Sequence, residues 1–99
     1  MAMLHLVQGR DRQTLEHCLD RVGEGDAVLL LGDAAYLAVR SVFRLKPRAA
    51  SGRIRLYVLH SDLEARGLQP GELEPGVTPI DYDGFVTHSV EFHPILSWF

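Results

Sequence analysis

The sequence predicts an α/β domain, a three-layer α/β/α arrangement around a mostly parallel sheet of four to five strands. Three observations carry this. Short strand-like runs alternate along the chain with amphipathic helical stretches. The run Ala27-Val28-Leu29-Leu30-Leu31 is apolar at every position, as a strand covered on both faces requires. The resulting βαβαβαβα order calls for parallel strands joined by right-handed crossovers, with helices lying on the sheet.

Taken in order, Leu4 to Val7 reads as the first strand. Asp11 is placed to cap the following helix, whose Leu15, Cys18, Leu19 and Val22 recur at spacings of three and four and so share one face. Gly23 is expected to end that helix in a left-handed conformation. After the second strand, Gly32-Asp33 turns the chain, and Ala34 to about Phe43 reads as a helix capped by Asp33. Lys46-Pro47 through Ser51-Gly52 is a connection, and Ile54 to Leu59 the third strand. Ser61 followed by Glu64 has the spacing of a capping box, and Gly67 closes the short helix it begins. Gln69 to Thr78 holds two of the five prolines and reads as irregular. Thr78-Pro79-Ile80 fits a short fourth strand, with Pro79 favouring an edge. Asp83 is expected to cap a last helix running to about Phe92, which His93-Pro94 stops, leaving Ile95 to Phe99 as an apolar tail.

Ninety-nine residues suit one domain, 1–99, with a modest core. A net charge of −3 argues against direct nucleic-acid binding, which ordinarily needs a basic excess to neutralise phosphates. Locally, Arg44, Lys46, Arg48, Arg53 and Arg55 gather on and around the connection. They read either as a solvated segment or as a docking patch for an acidic partner or RNA. One cysteine excludes an intramolecular disulfide, and no apolar run is long enough to span a bilayer, so the cytoplasm is the expected location.

Chemistry-bearing residues are few. Cys18 is the single group able to carry a persulfide. It stands on the apolar stripe well inside its helix, where the helix dipole lends little to a thiolate, although Arg21 lies three residues on. Both a buried structural cysteine and a reactive thiol remain open. His5, His17, His60, His88 and His93 include no pair at the i,i+4 spacing of a helical zinc site, and nothing calls for a metal or cofactor. His60, after the third strand, fits a capping or surface role, or acid–base chemistry. Asp33, Asp81 and Asp83 near strand ends suggest either helix caps or a receiver-like acidic pocket, but the only lysine, Lys46, lies in a connection. There is no phosphate-binding glycine loop and no Cys-x-x-Cys pair. The tail Pro94-Ile95-Leu96-Ser97-Trp98-Phe99 fits either a return onto the domain's own core or an interface, where Trp and Phe are enriched. Interface candidates are Tyr82, Phe85, Trp98 and Phe99.

Several blocks resemble the DsrH/TusB family: His5-Leu6-Val7, Gly25-Asp26-Ala27-Val28-Leu29-Leu30 with Gly32-Asp33, and Leu56-Tyr57-Val58-Leu59. They are followed, in family order, by Asp62-Leu63-Glu64-Ala65-Arg66-Gly67-Leu68, Ile80-Asp81-Tyr82-Asp83-Gly84-Phe85-Val86 and Trp98. The resemblance implies a DsrE-like fold and a role as an accessory subunit of a persulfide sulfur-relay complex. In such heterohexamers two copies of this chain would join TusC/DsrF-like and TusD/DsrE-like subunits and exchange sulfur with carrier proteins. The pathway would be 2-thiolation of the transfer-RNA wobble uridine or dissimilatory sulfur oxidation. The principal sulfur-accepting cysteine would belong to the DsrE/TusD-like partner, with Cys18 at most a secondary acceptor. The alternatives are a stand-alone small sulfurtransferase using Cys18 and a receiver-like interaction module; self-association of the isolated chain is compatible with each.

Overall fold

The computed structural model describes residues 3–39, 54–91 and 94–98. Among the described residues five strands form one sheet: β1 (Leu4–Val7), β2 (Ala27–Leu30), β3 (Arg55–Leu59), β4 (Val77–Ile80) and β5 (Ile95–Trp98). Their order is β4-β3-β2-β1-β5, and every neighbouring pair is parallel. Three α-helices, α1 (Arg12–Arg21), α2 (His60–Ala65) and α3 (Tyr82–Glu91), and two 3-10 helices, Gly32–Ala38 and Pro70–Glu72, connect them. The expected parallel α/β class is borne out.

Register divides the side chains between two unequal faces. Val7, Val28, Leu30, Leu56 and Val58 pack on one face with Leu15, Cys18, Leu19 and Val22 from the α1 region, Ala34, Ala35, Leu37 and Ala38 from the first 3-10 helix, and Leu63 from α2. The opposite face carries Leu4, Ala27 and Leu29, with Leu6, Tyr57 and Ile80 half-buried beside them, and Phe85 reaches it from α3. Chain direction accounts for this inequality. Successive crossovers from β1 to β4 move the same way across the sheet and leave their helical segments on one face. The crossover from β4 to β5 runs back past β1, so right-handedness puts α3 on the other face.

Several local expectations need correction. Gly23 does not adopt a left-handed conformation; α1 ends at an extended Val22, and Gly25, with φ 88°, makes the turn. The segment after β2 is a 3-10 helix over Gly32–Ala38 rather than a helix from Ala34, and Val39 forms an isolated bridge with Leu73. The rest of that expected helix and the 46–52 connection lie outside the described residues. Ser61 is not a cap, because α2 already begins at His60 and no side chain caps it. The cap of α3 is Asp81 rather than Asp83: its Oδ1 accepts the Gly84 N–H at 2.7 Å, while Asp83 lies in the first turn. A Cβ at Gly84 would stand 3.3 Å from that oxygen and from Ile80 Cβ, so the close approach favours glycine. Asp11, by contrast, caps α1 through the Gln13 N–H as expected, and Gly67 (φ 68°) turns the chain after α2. Within the apolar tail, Ile95–Trp98 form β5 beside β1.

Leu63→Ala is expected to lower the unfolding free energy by about 2–5 kcal/mol, since Leu63 is fully buried in the larger core. Val90→Ala, on the open side of α3, should change it by less than about 0.5 kcal/mol. Denaturant titration checks both; equal small effects would contradict this packing.

Candidate functional site

Cys18 lies on the buried face of α1 with no solvent exposure. Burial, reinforced by the negative charge of nearby Asp26, pushes its thiol up to about 12. Such a thiol is overwhelmingly neutral near neutrality and presents no thiolate to a donor. Of the two expectations for this residue, the structure places it in the packed core rather than at an accessible position.

Beside Cys18 is a buried polar network that the sequence reading did not assemble. Asp26, just before β2, is 5% exposed, and His5 on β1 is 2% exposed. His5 Nε2 lies 3.2 Å from Asp26 Oδ2, which also accepts the Gly23 N–H at 3.0 Å; Asp26 Oδ1 accepts the Met3 N–H at 2.9 Å. Burial alone would raise the Asp26 carboxyl. The Met3 and Gly23 N–H groups and the His5 ring outweigh it and hold the carboxyl below its ordinary value. The other ring nitrogen, His5 Nδ1, accepts the Trp98 indole N–H at 3.1 Å. Arg21 of α1 lies over the Trp98 ring, 6.0 Å from its centre. One available signal was His5 itself: it lies two residues before Val7 on the same face of β1, and a buried imidazole requires partners.

A second cluster occupies the carboxyl ends of β1 to β3, where parallel sheets usually place their sites. Arg66 holds Asp33 through Nη2 at 2.9 Å and Nε at 3.2 Å, and approaches Asp62 through Nη1 at 3.5 Å. Asp62 Oδ2 in turn accepts the Gly32 N–H at 2.8 Å. Asp33 is therefore an ion-pair partner and caps no helix. The guanidinium of Arg10 lies 4.9 Å from the centre of the Tyr36 ring and that of Arg66 5.9 Å. The Asp62-to-Arg66 block thus fastens α2 to the turn after β2. Asp81 and Asp83 are separate from this cluster in the contacts observed, so the acidic residues do not gather into a receiver-like pocket.

His60 pairs with Glu64 at 2.8 Å in an exposed position, a surface role of small energetic weight. Among the described residues no group of three or more His, Cys, Asp or Glu side chains could hold a metal, and no helix is long and apolar enough to cross a membrane. Of the interface candidates, Tyr82 is 66% exposed, and Phe85 and Trp98 are half-buried. Phe99, His93, the side chain of His88, and Arg44, Lys46, Arg48 and Arg53 lie outside the described residues. Arg55 is exposed and donates to the Gly25 carbonyl at 3.2 Å. Exposed apolar side chains not singled out individually are Val86 and Val90 of α3, which with Tyr82 recur every fourth residue, and Ile95 and Leu96 of β5.

Residues 10–94 match the model of the family described as DsrH like protein. Protein TusB of Salmonella dublin is 33% identical over 94 residues, a match covering 86% of this chain and 97% of the relative. Protein TusB of Salmonella typhimurium (strain LT2) matches with the same identity and coverage. Among solved structures, the protein of unknown function MTH1491 from Methanobacterium thermoautotrophicum has a TM-score of 0.73 at 12% identity, covering 97% of both chains. The ychN protein from E. coli has a TM-score of 0.72 at 12% identity, covering 98% of both. These two likenesses concern the fold alone.

Thiol-specific labelling of Cys18 in native buffer is expected to be limited by opening of the fold and to reach the rate of a free thiol only in denaturant. Rapid labelling of the native chain would contradict the buried placement. The depressed Asp26 carboxyl adds stability that is fully present above its ordinary value of 3.8 and is lost as pH falls through the lower folded value. Denaturant melts across that acid range should show a shallower pH dependence for Asp26→Asn than for the wild type.

Proposed function

The chain belongs to the DsrH-like family, and we propose that it serves as an accessory subunit of a persulfide sulfur-relay complex. In this role it supplies contact surface, while the sulfur-accepting cysteine resides on a TusD/DsrE-like partner and a TusC/DsrF-like subunit completes the assembly. Two copies of each chain would make a heterohexamer. The identity to proteins named TusB favours the branch that ends in 2-thiolation of the transfer-RNA wobble uridine over dissimilatory sulfur oxidation.

The observation that carries the accessory role is the burial of the chain's single cysteine. Persulfide transfer needs a thiolate to attack the outer sulfur of the donor, so both access and ionisation govern the rate. Cys18 lacks both in the closed fold, and the Asp26 charge disfavours ionisation further. That same placement disfavours a stand-alone sulfurtransferase built on Cys18. Surface for partners is available on α3, where Tyr82, Val86 and Val90 leave a strip of apolar side chains in solvent.

Affinity capture of the tagged chain from its native cells, followed by intact-complex mass spectrometry, tests the role. Two related small chains in numbers equal to this one are expected. Recovery of the chain alone under conditions that preserve weak complexes would contradict the proposal. As a control on the surface, Val86→Asp combined with Val90→Asp should leave the fold intact and reduce partner recovery at least tenfold.

A further inference from the structure

His5 is buried with both ring nitrogens engaged. An indole N–H can only donate, so His5 Nδ1 must be the acceptor and Nε2 must carry the proton that is given to Asp26. This fixes the neutral tautomer. A second proton on the ring has one place to go, Nδ1, where it would confront the Trp98 N–H across 3.1 Å. Two donors cannot share that contact.

We propose that His5 is a proton-operated latch on β5: the neutral ring holds Trp98, and the imidazolium releases it. The groups around it set the balance. Asp26 faces Nε2 and favours the imidazolium. Cys18 of α1 lies near the Asp26 charge and is neutral. Arg21 of α1 covers the Trp98 ring and disfavours a further positive charge nearby. The strand neighbours in register, Val28 of β2 and Leu96 of β5, are apolar. Asp26 stays ionised while the ring takes up its proton, because its donors hold it below the ordinary carboxylate range.

Release of the indole has a structural consequence. Trp98 is the side chain that ties the carboxyl end of edge strand β5 to the polar network, and Ile95 and Leu96 already stand in solvent. Losing the indole contact loosens the end of β5, which keeps its pairing with β1 and the packing of Trp98 against the larger core, while the pairing of β1 with β2 and the Asp26 contacts to Met3 and Gly23 are kept. The latch does not depend on the sulfur-relay role, since every group in it belongs to this chain.

Trp98 is the only tryptophan, so the tryptophan fluorescence of the full chain comes from the residue that His5 holds. From about pH 8 to about pH 5, wild-type emission should change in one transition whose midpoint coincides with the His5 ring titration followed by NMR. His5→Gln should be flat across that interval, because its amide can accept from Trp98 and donate to Asp26 without taking up a proton. Trp98→Phe removes the opposing donor and keeps the ring. By reciprocal linkage its His5 ring should take up a proton more readily than the wild-type ring. Nitrogen-15 shifts of the wild type should show the Nε2–H tautomer. A wild-type emission independent of pH, a transition that persists in His5→Gln, an unchanged midpoint in Trp98→Phe, or the Nδ1–H tautomer would each overturn the latch.

Discussion

A carboxylate removed from water must be met by donors or it gives up its charge. Asp26 is met by three: the Met3 N–H ahead of β1, the Gly23 N–H after α1, and the His5 ring within β1. These contacts draw together the start of the sheet, the end of its first helix and the entry to its central strand. Through the other nitrogen of His5 the same charge reaches Trp98 on β5, so strands at opposite ends of the sequence are joined by one network. The cost of burying the charge is offset only while all of these partners are in place, which makes the network demanding about geometry. Its charge also bears on Cys18, whose thiol it helps keep protonated. The element most open to a sulfur function is thereby turned toward a packing role.

The uneven dressing of the sheet leaves surface on which the proposed partners can pack. One face is closed by α1, α2 and a 3-10 helix over a continuous core, whereas α3 lies on the other face and leaves Tyr82, Val86 and Val90 in solvent. A short chain has limited means to cover both faces, and further burial can come from association. The edges differ as well. β4 carries Pro79, which lacks a donor and blunts pairing, while β5 contains neither proline nor charge within Ile95–Trp98.

Much of the fold was legible because its signals are local. The continuous apolar run of β2 announces a strand buried on both faces, and the spacing of Leu15, Cys18, Leu19 and Val22 announces the buried side of α1; all of them are buried. Pro79 pointed correctly to an edge. Caps were less legible where two acids compete: Asp81 and Asp83 are two residues apart, and the choice rests on which one meets the Gly84 N–H. β5 escaped recognition as a strand because Ile95, Leu96 and Ser97 are all exposed and show no clean alternation, and its partner β1 is about ninety residues away. The polar network was invisible for the same reason. His5, Asp26 and Trp98 are each unremarkable in sequence, and only the parallel register of β2, β1 and β5 brings them into contact. The Asp62-to-Arg66 block carried a family resemblance before it had a physical meaning, which the ion pair to Asp33 and the bond to Gly32 now provide.

In the proposed role this chain serves a sulfur relay without itself receiving the sulfur. That role is tested most directly by reconstituting the complex with its partner subunits, loading it from a persulfide donor, and measuring the intact mass of each chain. One added sulfur is expected on the TusD/DsrE-like partner, with an unmodified mass for this chain. A stoichiometric added sulfur on this chain that disappears with Cys18→Ser would contradict it.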